Sequence, residues 1–210
     1  MSAFLGPIHY WLYNKINIQK ELVEDIIKLS QKFNTSEIEL QKELDTRYGV
    51  SETRPLEEVI DQGNIHGWLQ ACVSQVEYKL AFGVTKLLER NPELIKEMEL
   101  LFQSKGMEKA LTENTTNVSK IYKAISDSLL DGMPCDNANR VLEDAEDKVI
   151  WKRNACVHKS YWDEVGGDIN NYYILRESFI RGFLRDTSVV FEKIDDVTSV
   201  IKRSNGVSAK

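Results

Sequence analysis

The spacing of apolar residues changes at residues 131–134, which read Asp-Gly-Met-Pro, and this change restricts the folds that the chain can adopt. Before this point apolar residues recur every three or four positions, which is typical of helices with one buried face. Gly106 is expected to separate one such helix from a short amphipathic segment. We predict helices at residues 7–33, 36–49, 65–88 and 93–104, a helical turn at 56–60, and a further helix from residue 117.

After residue 134, apolar and polar residues alternate over short runs, as they do in strands. Val149 and Trp151 are expected on one face of such a strand, and Ile150 and Lys152 on the other. Helices first and strands last, without βαβ alternation, predict a mainly helical α+β protein, with an N-terminal helical bundle packed on a small C-terminal antiparallel sheet. We predict strands at residues 140–144, 148–154, 189–194 and 199–203, and helices at 158–165 and 170–185.

The change in apolar spacing at residues 131–134 also divides the chain into two parts. We expect residues 1–131 to form a helical part, residues 132–204 to form an α+β part with two hairpins, and residues 205–210 to form a disordered tail. The second part has too few apolar residues for a stable core of its own, so we expect the two parts to share one core.

Charge and composition exclude several classes of function. The 210 residues carry a net charge of −6 without a lysine or arginine cluster, whereas nucleic-acid binders need a basic surface. No apolar run approaches the roughly 20 residues that span a bilayer, so no membrane partner is expected. The cysteines are Cys72, Cys135 and Cys156; their odd number and wide spacing fit a reducing compartment, and the expected location is cytoplasmic.

Residues 149–168 hold the richest chemistry, because a predicted strand leads through Cys156 and His158 into a short helix. A thiol at the start of a helix can have a lowered pKa, which makes Cys156 a candidate catalytic nucleophile. His158 is poorly placed as its base if both residues are helical, since positions two apart do not share a helix face. The alternative is that Cys156 is a small buried apolar residue.

The three histidines, His9, His66 and His158, each lie near a tryptophan. His9 and His66 stand near the starts of the two longest predicted helices, and they would meet if these helices begin at the same end of the bundle. With His158 or Cys156 they would form a three-ligand metal site of the catalytic type, holding zinc or iron as cofactor. The alternative is three packing residues, since no two have the spacing of a metal motif such as HExxH.

The last part of the chain, roughly residues 118–203, resembles in layout a superfamily of ligand-binding domains. The resemblance consists of helices, the first strand pair, a turn bearing Cys156, a helix that ends in the FIRGFL run of residues 179–184, and a hairpin. The superfamily includes vinyl-reductase-type domains, nitric-oxide-sensing haem domains and transport-particle subunits, and aminothiazoline-carboxylate hydrolases have a comparable tail. The resemblance implies a cavity between helices and sheet that takes a small hydrophobic or cyclic ligand. Haem is not implied, because residues 151–155 read WKRNA where the haem domains have Tyr-x-Ser-x-Arg.

The leading hypothesis for function is a cytoplasmic domain that binds a small molecule and has a sensory or accessory role. Its apolar aromatic pocket would be lined by Trp151, Cys156, His158, Tyr161 and Trp162. One rival is a hydrolase-type enzyme that uses Cys156 as nucleophile or metal ligand together with a histidine. Another is a structural helical protein that forms a homodimer, in which these polar residues only satisfy the core.

Overall fold

The computed structural model describes residues 5–33, 37–111 and 115–204 of the chain. Within these ranges the helices are α1 (Pro7–Ser30), α2 (Glu37–Tyr48), α3 (Leu56–Val59), α4 (Ile65–Arg90), α5 (Leu94–Lys109), α6 (Val118–Ser128), α7 (Lys159–Glu164) and α8 (Ile169–Phe183). The strands are β1 (Asn139–Asp144), β2 (Lys148–Arg153), β3 (Val189–Lys193) and β4 (Thr198–Arg203). The mainly helical α+β class predicted from the sequence is confirmed.

The two long helices α1 and α4 pack against each other along the helical part. Pro7 occupies the first turn of α1, where its missing N–H needs no partner. Asn64 caps α4 by accepting a hydrogen bond from Gly67 N at 3.1 Å. The helices approach closely at Gly83, where an added Cβ would lie 3.3 Å from Ile26 Cγ2. This pairing brings the beginnings of the two helices to the same end of the bundle, since His9 and His66 are neighbours there.

The helices α5 and α8 cross through two glycines. A Cβ on Gly106 would lie 2.0 Å from the backbone oxygen of Phe179, and one on Gly182 would lie 2.0 Å from the backbone oxygen of Gln103. The prediction that Gly106 separates two elements is wrong, because α5 continues through it to Lys109. The missing side chain serves helix packing here instead of ending the helix.

The four strands form one antiparallel sheet in the order β1-β2-β4-β3. The predicted alternation in β2 is confirmed, since Val149 and Trp151 are buried and Lys152 is exposed. Across the ladder Val149 pairs with Ile201 of β4, and Trp151 pairs with Ser199. The face of the sheet that bears these four residues is its inner face, because Val149, Trp151 and Ile201 belong to the buried core.

One hydrophobic cluster joins the helices to the sheet. It includes Leu80 of α4 and Phe102 of α5 together with Val149 of β2 and Phe191 of β3. The apolar core is therefore continuous between the helical bundle and the sheet. None of the helices in the described ranges is long and apolar enough to cross a membrane. The start expected for the second helix at residue 36 and the tail at residues 205–210 lie outside the described residues.

Candidate functional site

A cavity of about 410 Å³ lies between the inner face of the sheet and α8. Its apolar wall includes Trp151 of β2, Ile180 of α8 and Phe191 of β3. Ser199 also lines it, and the strand register places this small side chain beside Trp151. The space exists in part because a small residue stands where a large one would fill it. The volume falls in the range of roughly 300–1,000 Å³ that is usual for small-molecule sites.

Three charged side chains meet at one end of the cavity: Asp131, His158 and Arg176. Arg176 binds Asp131 in a bidentate manner, with Nη1 2.9 Å from Oδ1 and Nη2 3.0 Å from Oδ2. His158 Nε2 lies 3.7 Å from the same Oδ1 atom. Arg176 Nη1 also donates to the hydroxyl of Tyr172 at 3.2 Å. Two parallel charge-assisted hydrogen bonds fix the plane of the guanidinium, so this end of the cavity is rigid.

The ring of His158 is held between two carboxyl groups. Its Nδ1 lies 3.0 Å from Glu77 Oε2 of α4, and both side chains are almost completely buried. Its face lies against the ring of Tyr172, with centroids 3.9 Å apart. Burial alone would lower the pKa of His158, but Glu77 and Asp131 outweigh it and raise that pKa to about 9. At neutral pH the ring is therefore protonated, with Nδ1 donating to Glu77 and Nε2 facing the Asp131 carboxylate as an ion pair.

The charges around His158 are nearly balanced. Burial would raise the pKa of Asp131, but the Arg176 guanidinium and His158 hold it well below its usual range, so Asp131 stays ionised. Lys15 of α1 is also buried, and burial lowers its pKa to about 8 against the opposing effect of Asp131. These groups come from α1, α4, α8, the residue that precedes α7 and the segment after α6, so the ion network ties the helical part to the cavity.

Cys156 lines the cavity from the loop between β2 and α7. Its Sγ accepts a hydrogen bond from the hydroxyl of Tyr173 at 2.9 Å. The two nitrogens of His158 face Glu77 and Asp131, so this histidine is engaged with carboxyl groups and not with the thiol. Chemistry at Cys156 would take place beside a tyrosine hydroxyl.

Arg153, the last residue of β2, stands beside the same tyrosine. Its guanidinium carbon lies 4.0 Å from the centroid of the Tyr173 ring, in a cation–π contact. Its Nη2 donates to the backbone oxygen of Asp196 at 3.2 Å. Arg153, Tyr173 and Cys156 thus form a second polar group in the cavity lining, in addition to the ion pair of Asp131 and Arg176.

The structure brings only some of the predicted pocket residues to the cavity. Trp151, Cys156 and His158 line it, whereas Tyr161 and Trp162 do not. Trp162 is completely buried in the core, and the Tyr161 hydroxyl lies 3.1 Å from Ser74 Oγ of α4. The reason is that α7 packs on α4, so the aromatic side chains of α7 point toward that helix.

The structure brings together two of the three histidines predicted as metal ligands. The rings of His9 and His66 lie 5.7 Å apart, and His9 Nδ1 accepts a hydrogen bond from Gly6 N. His158 is held instead at Glu77, which lies eleven positions after His66 on α4 and therefore roughly 16 Å farther along the helix. Among the described residues, no group of three or more His, Cys, Asp or Glu side chains could hold a metal ion.

Four residues of the site were not singled out in the sequence. They are Glu77, Asp131, Arg153 and Arg176. Two of them could have been recognised from the sequence, because Glu77 and Arg176 are charged residues within the apolar stripes of α4 and α8. Charged side chains on a buried face are rare unless they are paired, so such positions indicate a partner elsewhere in the chain.

Comparison with known protein families, with curated proteins and with solved structures finds no match to this chain. The superfamily resemblance in the layout of residues 118–203 therefore stays a prediction. The geometry of the cavity is the basis on which a function can be proposed.

Proposed function

We propose that the protein binds a small organic molecule in the cavity between the sheet and α8, and that it has a sensory or accessory role. The observation that carries the proposal is the construction of this cavity. Its wall of Trp151, Ile180 and Phe191 is apolar, while one end presents the paired charges of Asp131 and Arg176. Small-molecule sites combine apolar walls with a few fixed polar groups in this way.

The rigidity of the lining supports the same proposal. Trp151 and Phe191 belong to paired strands, and Arg176 is held by both a carboxylate and a tyrosine hydroxyl. Little free energy would therefore be lost to the ordering of side chains when a ligand binds. The layout resemblance also implies a ligand between helices and sheet.

The test is saturation-transfer NMR with a set of monocyclic and bicyclic aromatic fragments, both neutral and charged. Ser199→Phe is designed to fill the cavity from β4. Lys202→Phe on the same strand is the matched control, since Lys202 pairs with Val190 and lies outside the cavity lining. We expect some fragments to bind the wild type and Lys202→Phe and to lose binding in Ser199→Phe. The proposal is wrong if no fragment binds, or if a folded Ser199→Phe variant binds the same fragments.

A hydrolase-type enzyme is the second candidate, and one contact favours it. The Cys156 thiol lines the cavity and accepts a hydrogen bond from Tyr173, so it is placed to attack the carbonyl carbon of a bound ester or amide; the alcohol or amine would leave, and water would then hydrolyse the thioester and restore the thiol. This candidate requires that Cys156 react with iodoacetamide faster than the exposed Cys135, and that a bound fragment protect it. A rate no faster than that of Cys135 would remove the support for a nucleophile.

A further inference from the structure

Arg153 differs from the other basic side chains that line the cavity. Four such side chains are present, and three of them have a carboxylate partner: Arg176 with Asp131 at 2.9 Å, Lys193 with Glu177 at 3.1 Å, and Lys159 with Asp163 at 2.6 Å. Arg153 has contacts only with the Tyr173 ring and the Asp196 backbone oxygen. In the described parts of the chain, no carboxylate forms an ion pair with it.

The contacts that Arg153 does make fix its orientation without using most of its donors. The Tyr173 ring holds the guanidinium by a cation–π contact, and the Asp196 oxygen takes one N–H. A guanidinium has five N–H groups in a planar fork, which matches the two oxygens of a carboxylate or phosphate. The remaining edge is therefore oriented in advance and lacks a protein anion among the described residues.

Ion pairs offset the other positive charges of the cavity lining. Arg176 and Lys193 pair with Asp131 and Glu177 of the lining itself, and the charges of Lys159 and His158 are offset by Asp163 and Glu77 just outside it. Arg153 is the basic side chain of the lining that no ion pair offsets among the described residues. An unpaired guanidinium in a cavity favours an anion over a neutral molecule at that point.

The neighbours of Arg153 give the rest of the recognition chemistry. Asn139 of β1 pairs with Arg153 across the sheet and also lines the cavity, so its amide is a second donor at this side. Trp151 lies two positions before Arg153 on the same face of β2, with the Phe191 ring 6.0 Å from its own. A charged group at Arg153 would thus be attached to a body that lies on aromatic surface.

We propose that the ligand of this cavity is an organic anion and that Arg153 selects it. The anionic group, a carboxylate, phosphate or sulfonate, binds the free N–H edge of Arg153, and an apolar body of ring size lies against Trp151 and Phe191. This assignment rests on the proposed binding function, because Arg153 has nothing to select if the cavity holds no ligand.

The test compares two probes of nearly the same shape, 2-naphthoate and 2-naphthamide, by isothermal titration calorimetry. Arg153→Gln removes the positive charge of Arg153 from the cavity lining. The matched control is Lys152→Gln, which removes the same charge from the preceding residue of β2, exposed on the opposite face. We expect the wild type and Lys152→Gln to bind the acid about tenfold more tightly than the amide, as a charge-assisted hydrogen-bonded pair allows. In Arg153→Gln the two affinities should become equal.

The outcomes separate this assignment from the binding function on which it rests. Equal affinities for acid and amide in the wild type would overturn the anion preference and leave ligand binding intact. A preference that persists in Arg153→Gln would overturn the role of Arg153. Binding of neither probe, with no binder in the fragment set, would overturn both proposals. Repetition with 2-naphthalenesulfonate and 2-naphthyl phosphate then ranks the three anionic groups.

Discussion

Glu77 and His158 form a buried pair that joins α4 to the start of α7, with 3.0 Å between Oε2 and Nδ1. The pair continues through Asp131 to Arg176 on α8, at the inner end of the cavity. Buried ions are costly unless each has a partner, so this chain of contacts stabilises the fold only while all its charges are present. Changes in pH and single substitutions should therefore have large effects here.

The first prediction concerns pH. The pKa of His158 rises from its ordinary 6.5 to about 9 in the folded state because Glu77 and Asp131 face it. The stabilisation by protonated His158 is therefore complete below about pH 6.5 and is lost as the pH rises through 9. This difference between the ordinary and the folded-state pKa of His158 corresponds to a contribution on the order of 3 kcal/mol to the free energy of unfolding.

Urea unfolding of the wild type and His158→Gln at several pH values between 6 and 10 measures this contribution. The difference between the two proteins is needed because Lys15 acts in the opposite direction: its folded pKa is lowered to about 8, so it favours folding as the pH rises. We expect the wild type to lose most of its advantage over His158→Gln between pH 7 and pH 10. An advantage that does not change with pH would contradict the protonated state of His158.

The second prediction concerns the pair of Asp131 and Arg176. Asp131→Asn leaves the mostly buried guanidinium of Arg176 without a carboxylate, and we expect a loss of about 2 kcal/mol in the free energy of unfolding. Asp131→Asn combined with Arg176→Met removes both charges and should be more stable than Asp131→Asn alone. Asp163→Asn breaks the exposed pair with Lys159 and serves as the control, with stability close to that of the wild type. A double variant that is less stable than Asp131→Asn would contradict this account.

Much of the fold could be predicted because its signals are local. The strand predicted to begin at residue 140 begins at Asn139, and the strand predicted to end at residue 154 ends at Arg153. The alternation of Val149 and Trp151 with Lys152 sufficed to orient the strand toward the core. Gly106 was misread because a glycine inside a helix has the same local sequence whether it ends the helix or admits another.

The candidate site could be predicted only in part because its partners are distant in the chain. Trp151, Cys156 and His158 were recognised from one short segment, but the partner of His158 lies 81 positions away at Glu77. Local periodicity shows that Glu77 lies on a buried face, and it does not show which charge meets it. The prediction that Tyr161 and Trp162 line the cavity was wrong for the same reason, because their positions depend on the packing of α7 on α4.

The third prediction concerns the crossing of α5 and α8. Gly106→Ala would place Cβ 2.0 Å from the backbone oxygen of Phe179, so the helices must move apart, at a cost of about 2 kcal/mol or more. Gly83→Ala is the matched control, because its Cβ would meet only the side chain of Ile26 at 3.3 Å and alanine favours the helix by about 1 kcal/mol. Thermal unfolding should show a fall of several degrees for Gly106→Ala and little change for Gly83→Ala. Equal melting temperatures would contradict the close helix crossing.

The fourth prediction concerns the thiols. Burial, together with Glu52, raises the pKa of Cys72 to about 11, whereas Cys135 is exposed. Only the thiolate is alkylated, and each unit of pKa reduces its fraction about tenfold, so Cys72 should react at least tenfold more slowly than Cys135 at pH 8. Timed iodoacetamide labelling followed by peptide mass spectrometry gives both rates in the folded protein. The same experiment in urea should bring the rates together, since unfolding removes the burial of Cys72. Equal rates in the folded protein would mean that Cys72 is open to solvent and that the packing between α1 and α4 differs from this structure.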